Sequence, residues 1–181
     1  MKRLFTMFTL LALLIAPVWA QSSAGKAPRT LSQAALASWN EIGRKIIAMA
    51  EDFPEDKYDF KPTPAQRSFA EQLLHVAGSN DYFTDVAAGK KPTDDESRDH
   101  YKTKVAVVAY LRKSFAAGAA MIQSKGAAGL SQTLETAESH DVVPLADLAY
   151  GLIEHSGEHY GQLVVYYRVA GMVPPESRPK K

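Results

Sequence analysis

In four separate stretches of this 181-residue chain, apolar residues recur at intervals of three and four, and each stretch is stopped by proline or glycine. No stretch shows the alternation of a strand, so the periodicity restricts the chain to helices packed on one another. The first stretch, about Ser32 to Asp52, carries Leu36, Trp39, Ile42 or Gly43, Ile46, Met49 and Phe53, and Pro54 stops it. The second opens on Ser68, whose hydroxyl caps the helix while Glu71 completes a Ser-x-x-Glu box, and it extends to about Ala88 before Gly89-Lys90-Lys91-Pro92. The third covers Tyr101 to Lys125, with Val105, Val108, Leu111 or Arg112, Phe115, Ala119 and Ile122 as its stripe and Gly126 as its end. The fourth runs from about Leu145 to Ala170, entered through Pro144 and closed by Gly171. The fold class is therefore all-α, a four-helix bundle over residues 31–171. Residues 54–67 contain prolines that forbid a regular helix and aromatics, Tyr58 and Phe60, that hold the loop against the domain. Residues 127–143 form a polar connection. The Pro-rich tail, 172–181, is expected to be extended and partly disordered.

The first twenty residues stand apart. Lys2 and Arg3 precede the apolar run Leu10 to Ile15, and Val18-Trp19-Ala20 offers a small-x-small cleavage pattern before the polar Gln21-Ser22-Ser23. We expect a signal peptide at 1–20, cleaved after Ala20, then a flexible segment at 21–30. The rival expectation, a retained anchor, needs about 20 spanning residues, and the run is shorter. The protein is thus expected to be exported, periplasmic or secreted, with no membrane attachment after cleavage. Losing Lys2 and Arg3 leaves 19 basic side chains against 20 acidic ones, which gives no basic face for nucleic acid. The expected partner is a small-molecule ligand or substrate, with a homodimer as the possible assembly. The chain has no cysteine, which excludes thiolate nucleophiles, iron–sulfur clusters and Cys-ligated zinc. A metal here must sit on His, Asp or Glu.

The fourth segment carries the sharpest feature. Stepping along it by threes and fours gives Leu145, Leu148, Leu152, His155, His159, Gln162 and Tyr166, so both histidines continue a stripe of leucines facing inward. Residues four apart in a helix stack about 5–6 Å from one another, close enough for two imidazoles to grip one ion. A catalytic zinc site commonly adds a third protein ligand and keeps a position for water. His100 lies in an acidic loop and His140 in the polar connection, where histidines are ordinarily solvated, whereas His75 sits mid-helix in Glu71-Gln72-Leu73-Leu74-His75-Val76-Ala77. It lies about 200° round that helix from Leu73. Its use as a ligand therefore requires the second helix to be packed on two sides. His155-Ser156-Gly157-Glu158-His159 also matches an HxxEH peptidase pattern, but that chemistry needs a further acidic ligand downstream, where the only acid is Glu176 in the tail. Gly118, Gly151, Gly157 and Gly161 are read as places where helices approach closely.

The segments Phe60-Lys61-Pro62, Ser68 to Ala77 and His155-Ser156-Gly157-Glu158-His159-Tyr160-Gly161-Gln162-Leu163 together resemble the DinB-like superfamily, which includes DinB proteins and YfiT-type metal-dependent hydrolases. The resemblance covers nearly the whole chain after residue 20, and the ending Tyr167 to Ser177 resembles an exported bacterial subgroup. It implies a metal site of one histidine on the second helix and an H-x-x-x-H pair on the last, positions taken here by His75, His155 and His159. The implied cofactor is a divalent metal, zinc by default, with nickel, iron or manganese as alternatives. The implied function is metal-dependent hydrolysis, in which the ion makes hydroxide available from a bound water. The alternative is a non-catalytic extracytoplasmic ligand-binding or interaction module. A thiol-dependent transferase, known in similar proteins, is weakened here by export, because low-molecular-weight thiol cofactors belong to the reducing cytoplasm.

Overall fold

A computed structural model describes residues 27–92, 95–135 and 140–179. The expected leader at 1–20 and most of the segment at 21–30 lie outside the described residues. Four helices dominate: α1, Leu31–Asp52; α2, Phe69–Ala87; α3, Lys104–Leu130; and α4, Leu145–Val169. Around the bundle the order is α1, α3, α2, α4. Thus α3 packs along both α1 and α2, α4 lies across the same two helices from the other side, and α3 and α4 barely meet. By length and composition α3 is apolar enough to cross a membrane, but here it is a bundle element packed on both flanks.

Local chemistry sets the boundaries. Ser68 and Glu71 form the expected capping box on α2. An equivalent box starts α1 one residue earlier than expected, with Thr30 accepting from the Gln33 amide and the Gln33 side chain accepting from Thr30. The expected end of α3 at Gly126 is a break instead. This glycine takes φ 56° and ψ −165°, and helix resumes to Leu130. The conformation suits a residue without Cβ. On α3 the buried stripe is Val107, Leu111, Ser114, Phe115, Gly118 and Ile122, and Val105 is turned out at 74% exposure.

Trp39, from α1, sits at the centre of the α1–α3 contact, with its indole N–H donating to the Phe115 carbonyl at 2.9 Å. Gly118 makes room for it, because a Cβ there would lie 2.0 Å from the indole ring. The other three glycines expected at close approaches, Gly151, Gly157 and Gly161, face open space instead. The loop at 54–67 is packed as expected. Tyr58 is buried and donates to the Ala50 carbonyl, and the rings of Phe53 and Phe69 stack with centroids 3.9 Å apart.

The polar connection between α3 and α4 holds a small antiparallel pair, β1, Thr133–Glu135, and β2, Val142–Pro144, in which Leu134 faces Val143. Six residues of strand depart from the expectation of helices alone. Each strand has only three residues and one partly covered side chain, too short a run for alternation to register. The tail also differs from the extended segment expected. Pro174 is buried, Pro175–Ser177 form a 3₁₀ turn, and Glu176 and Arg178 bind Arg44 and Asp52 on α1.

Candidate metal centre

The antiparallel contact between α2 and α4 brings three imidazoles to one point. The Nε2 atom of His155 lies 3.2 Å from that of His75 and 3.0 Å from that of His159. One ligand atom from each of the three residues falls within 4.8 Å of the others, and no other cluster of His, Asp or Glu among the described residues has this metal-holding geometry. His155 and His159 stack one turn apart on α4, and α2 delivers His75 because it is buried on two sides. Leu73 and Val76 face the core, while His75 and Gln72 face α4. The two-sided packing that His75 required is present.

The other ring nitrogens fix the donor set. Nδ1 of His75 lies 2.7 Å from Oε1 of Glu96, in the segment between α2 and α3. Nδ1 of His159 lies 2.8 Å from Oε1 of Gln72, a residue only 5% exposed. The Gln72 amide nitrogen donates to Gln162 Oε1 at 2.8 Å, which leaves its oxygen as the acceptor for His159. Carboxylate and amide oxygens only accept, so both imidazoles carry their proton on Nδ1 and turn an Nε2 lone pair toward the shared point. Nδ1 of His155 is buried and has no hydrogen-bond partner among the described residues.

Burial holds His159 well below the ordinary imidazole range, at about 4, with the positive forms of His155 and His75 adding to the effect. Burial and then His75 lower His155 in the same way. Both are therefore neutral ligands at neutral pH. Nε2 of His155 thus faces the Nε2 lone pairs of both His75 and His159, at 3.2 and 3.0 Å. A tetrahedral ion with metal–nitrogen bonds of about 2.0–2.1 Å would set its ligands about 3.3 Å apart, close to this spacing. The donor set fits a divalent metal.

His100 and His140 lie elsewhere, paired with Asp95 and Glu135 and exposed at 66% and 77% of their side chains. Neither acid of the HxxEH reading joins the cluster. Glu158 is exposed, and Glu176 is held by Arg44. The supporting residues Gln72 and Glu96 were not singled out from the sequence. Gln72 lies three residues before His75, so helical spacing already places it on the neighbouring face. Nothing in the spacing ties Glu96, in an irregular segment, to α2.

The family model described as the DinB superfamily matches residues 39–163. Among solved structures, a DinB-like protein from Bacillus cereus superimposes with a TM-score of 0.66 at 18% identity, covering 78% of this chain and 93% of that one. A DinB-like protein from Bacillus subtilis gives 0.62 at 18%, covering 81% and 99%, and a conserved protein from Enterococcus faecalis gives 0.58 at 14%, covering 78% and 98%. These likenesses establish the fold. No curated protein matches the chain.

Proposed function

The chain belongs to the DinB superfamily, and from that membership and the clustered imidazoles we propose that it is an exported, metal-dependent hydrolase of a small molecule. The observation that carries the proposal is the convergence of three Nε2 atoms whose rings are held from behind by Glu96 and Gln72. His75, His155 and His159 would hold the ion, and zinc is the ordinary partner of three neutral imidazoles. When bound, such an ion supplies Lewis acidity toward a water or a substrate oxygen. The protein's own part is orientation. Glu96 Oε1 keeps the His75 proton on Nδ1, Gln72 Oε1 does the same for His159, and Gln162 locks the amide of Gln72. Export rests on the leader at 1–20.

One observation favours the second reading, a non-catalytic ligand-binding module. The carboxylate placed at the cluster, Glu96, is engaged by His75, so it serves orientation before it can serve as a general base. Metal analysis of the purified mature protein, then turnover assays with esters, amides and thiol conjugates, separates the readings. Bound metal with hydrolysis of an ester or amide supports the first. Bound metal without turnover supports the module, turnover of thiol conjugates alone supports a transferase, and failure of the parent to take up any divalent ion refutes the metal site.

A further inference from the structure

The faces of α2 and α4 that carry the histidines run on toward a cavity. Tyr82 stands seven residues after His75, and Leu148 seven before His155. Seven residues are nearly two helical turns, so each returns to the same helix face about 10 Å along the axis. Both border a cavity of about 260 Å³, walled further by Val86, Lys90, Pro92 and Leu134. The chain after α2 joins the two places, since Pro92 lines the cavity and Glu96 binds His75. Leu134 comes from β1 of the hairpin, which thereby contributes to the lining. Between cavity and imidazoles lie Ser79, whose hydroxyl is folded back onto the His75 carbonyl at 2.9 Å, and the partly buried Leu152. Two helix faces and one loop are common to both.

We propose, resting on the metal-site reading, that this cavity receives the apolar end of an elongated substrate whose hydrolysable end lies at the histidines: a medium-chain acyl or arylalkyl ester or amide. Val86, Pro92, Leu134 and Leu148 give the cavity an apolar side, Tyr82 adds a ring with one hydroxyl, and of the charged residues Lys90 and Glu135 the latter is already bound to His140 at 2.8 Å. Pockets that enclose a whole drug-sized ligand run from about 300 Å³ upward, so this one has the size for a tail. Hydrolysis of such an ester consumes one water. The water oxygen joins the acyl carbon, the ester C–O bond breaks, and the alcohol leaves carrying a proton.

Calorimetric titration of straight-chain carboxylates, acetate through decanoate, into the zinc-loaded protein tests this. Affinity is expected to rise about fourfold for each methylene that enters the cavity, then to level off. Leu148→Trp, with Val86→Phe as a second filling variant, should flatten the series while zinc uptake and acetate affinity stay at parental values. A series that is flat in the parent, or that stays steep in both folded variants, overturns the proposal. Failure of the parent to bind zinc overturns the metal reading instead. The same series on the metal-free protein then judges the cavity alone, a steep dependence that the variants flatten keeping it and a flat one removing it.

Discussion

Replacing Gln72 by leucine keeps the volume and removes the acceptor behind His159. In the parent, Gln72 Oε1 lies 2.8 Å from His159 Nδ1, and both residues are 5% exposed, so water has little access to replace the lost partner. Two costs then fall on metal binding. A buried donor without a partner costs about 1–3 kcal/mol, and an imidazole no longer held in the Nδ1–H form can place its proton on the Nε2 atom that must bind the ion. Loss of such an outer partner typically weakens metal affinity about 10- to 100-fold. Gln72→Leu should therefore raise the zinc Kd by one to two orders of magnitude, while Gln72→Glu, which restores an acceptor oxygen, should recover most of the loss. Chelator-competition titrations monitor the Kd, and circular dichroism verifies that each variant keeps its helix content. A folded Gln72→Leu protein that binds zinc within about twofold of the parent would refute the argument that this amide sets the His159 tautomer.

His159 sits at about 4 in the folded protein against an ordinary 6.5, so the unfolded chain binds more protons between those values, and the metal-free protein should lose stability as pH falls from about 6.5 to 4. The full effect is on the order of 3 kcal/mol, and urea unfolding at several pH values should show a smaller loss for His159→Ala. Gly118→Ala drives a methyl into the Trp39 ring and should destabilise by about 1–3 kcal/mol, whereas Gly161→Ala, facing open space within a helix, should stabilise by about 0.5–1 kcal/mol; opposite shifts in Tm are the check. Mass spectrometry of the protein recovered from its native host should show a mature N-terminus at Gln21, and an intact Met1 on a cytoplasmic species would contradict export.

How much was legible in the chain depended on whether helical spacing carried the information. The α4 seam placed His155 and His159 inward because three leucines precede them at the same spacing, and the Ser68 box marked the start of α2 to the residue. On α3 the same method erred. Val105, Val107 and Val108 fall within four positions, so periodicity could not choose among them, and packing against α1 and α2 selected Val107. Glycine misled in another way. The absence of Cβ permits a close approach without requiring one, so Gly118 under Trp39 and Gly161 toward open space look alike in one dimension. Glu96 reaches His75 through tertiary folding of an irregular segment, which no local pattern announces. The prolines of the tail forbid a helix while saying nothing of the ion pairs Arg178 and Glu176 make with α1.

The histidines also make sense as a departure from what would stabilise the fold best. Positions 155 and 159 continue a stripe begun by Leu145, Leu148 and Leu152, and leucines there would bury apolar surface without desolvating an imidazole. The chain instead holds three partly or fully buried imidazoles, the Nε2 atom of His155 3.0 and 3.2 Å from those of the other two, with one buried Nδ1 unpaired among the described residues. It also commits a buried glutamine and a loop carboxylate to aiming them. Desolvating imidazoles where leucines would fit costs stability, and a ligand bound at the cluster would offset that cost. The same logic explains why the two exposed histidines have no such support. His100 and His140 each meet one acid at the surface, where solvation makes further positioning unnecessary.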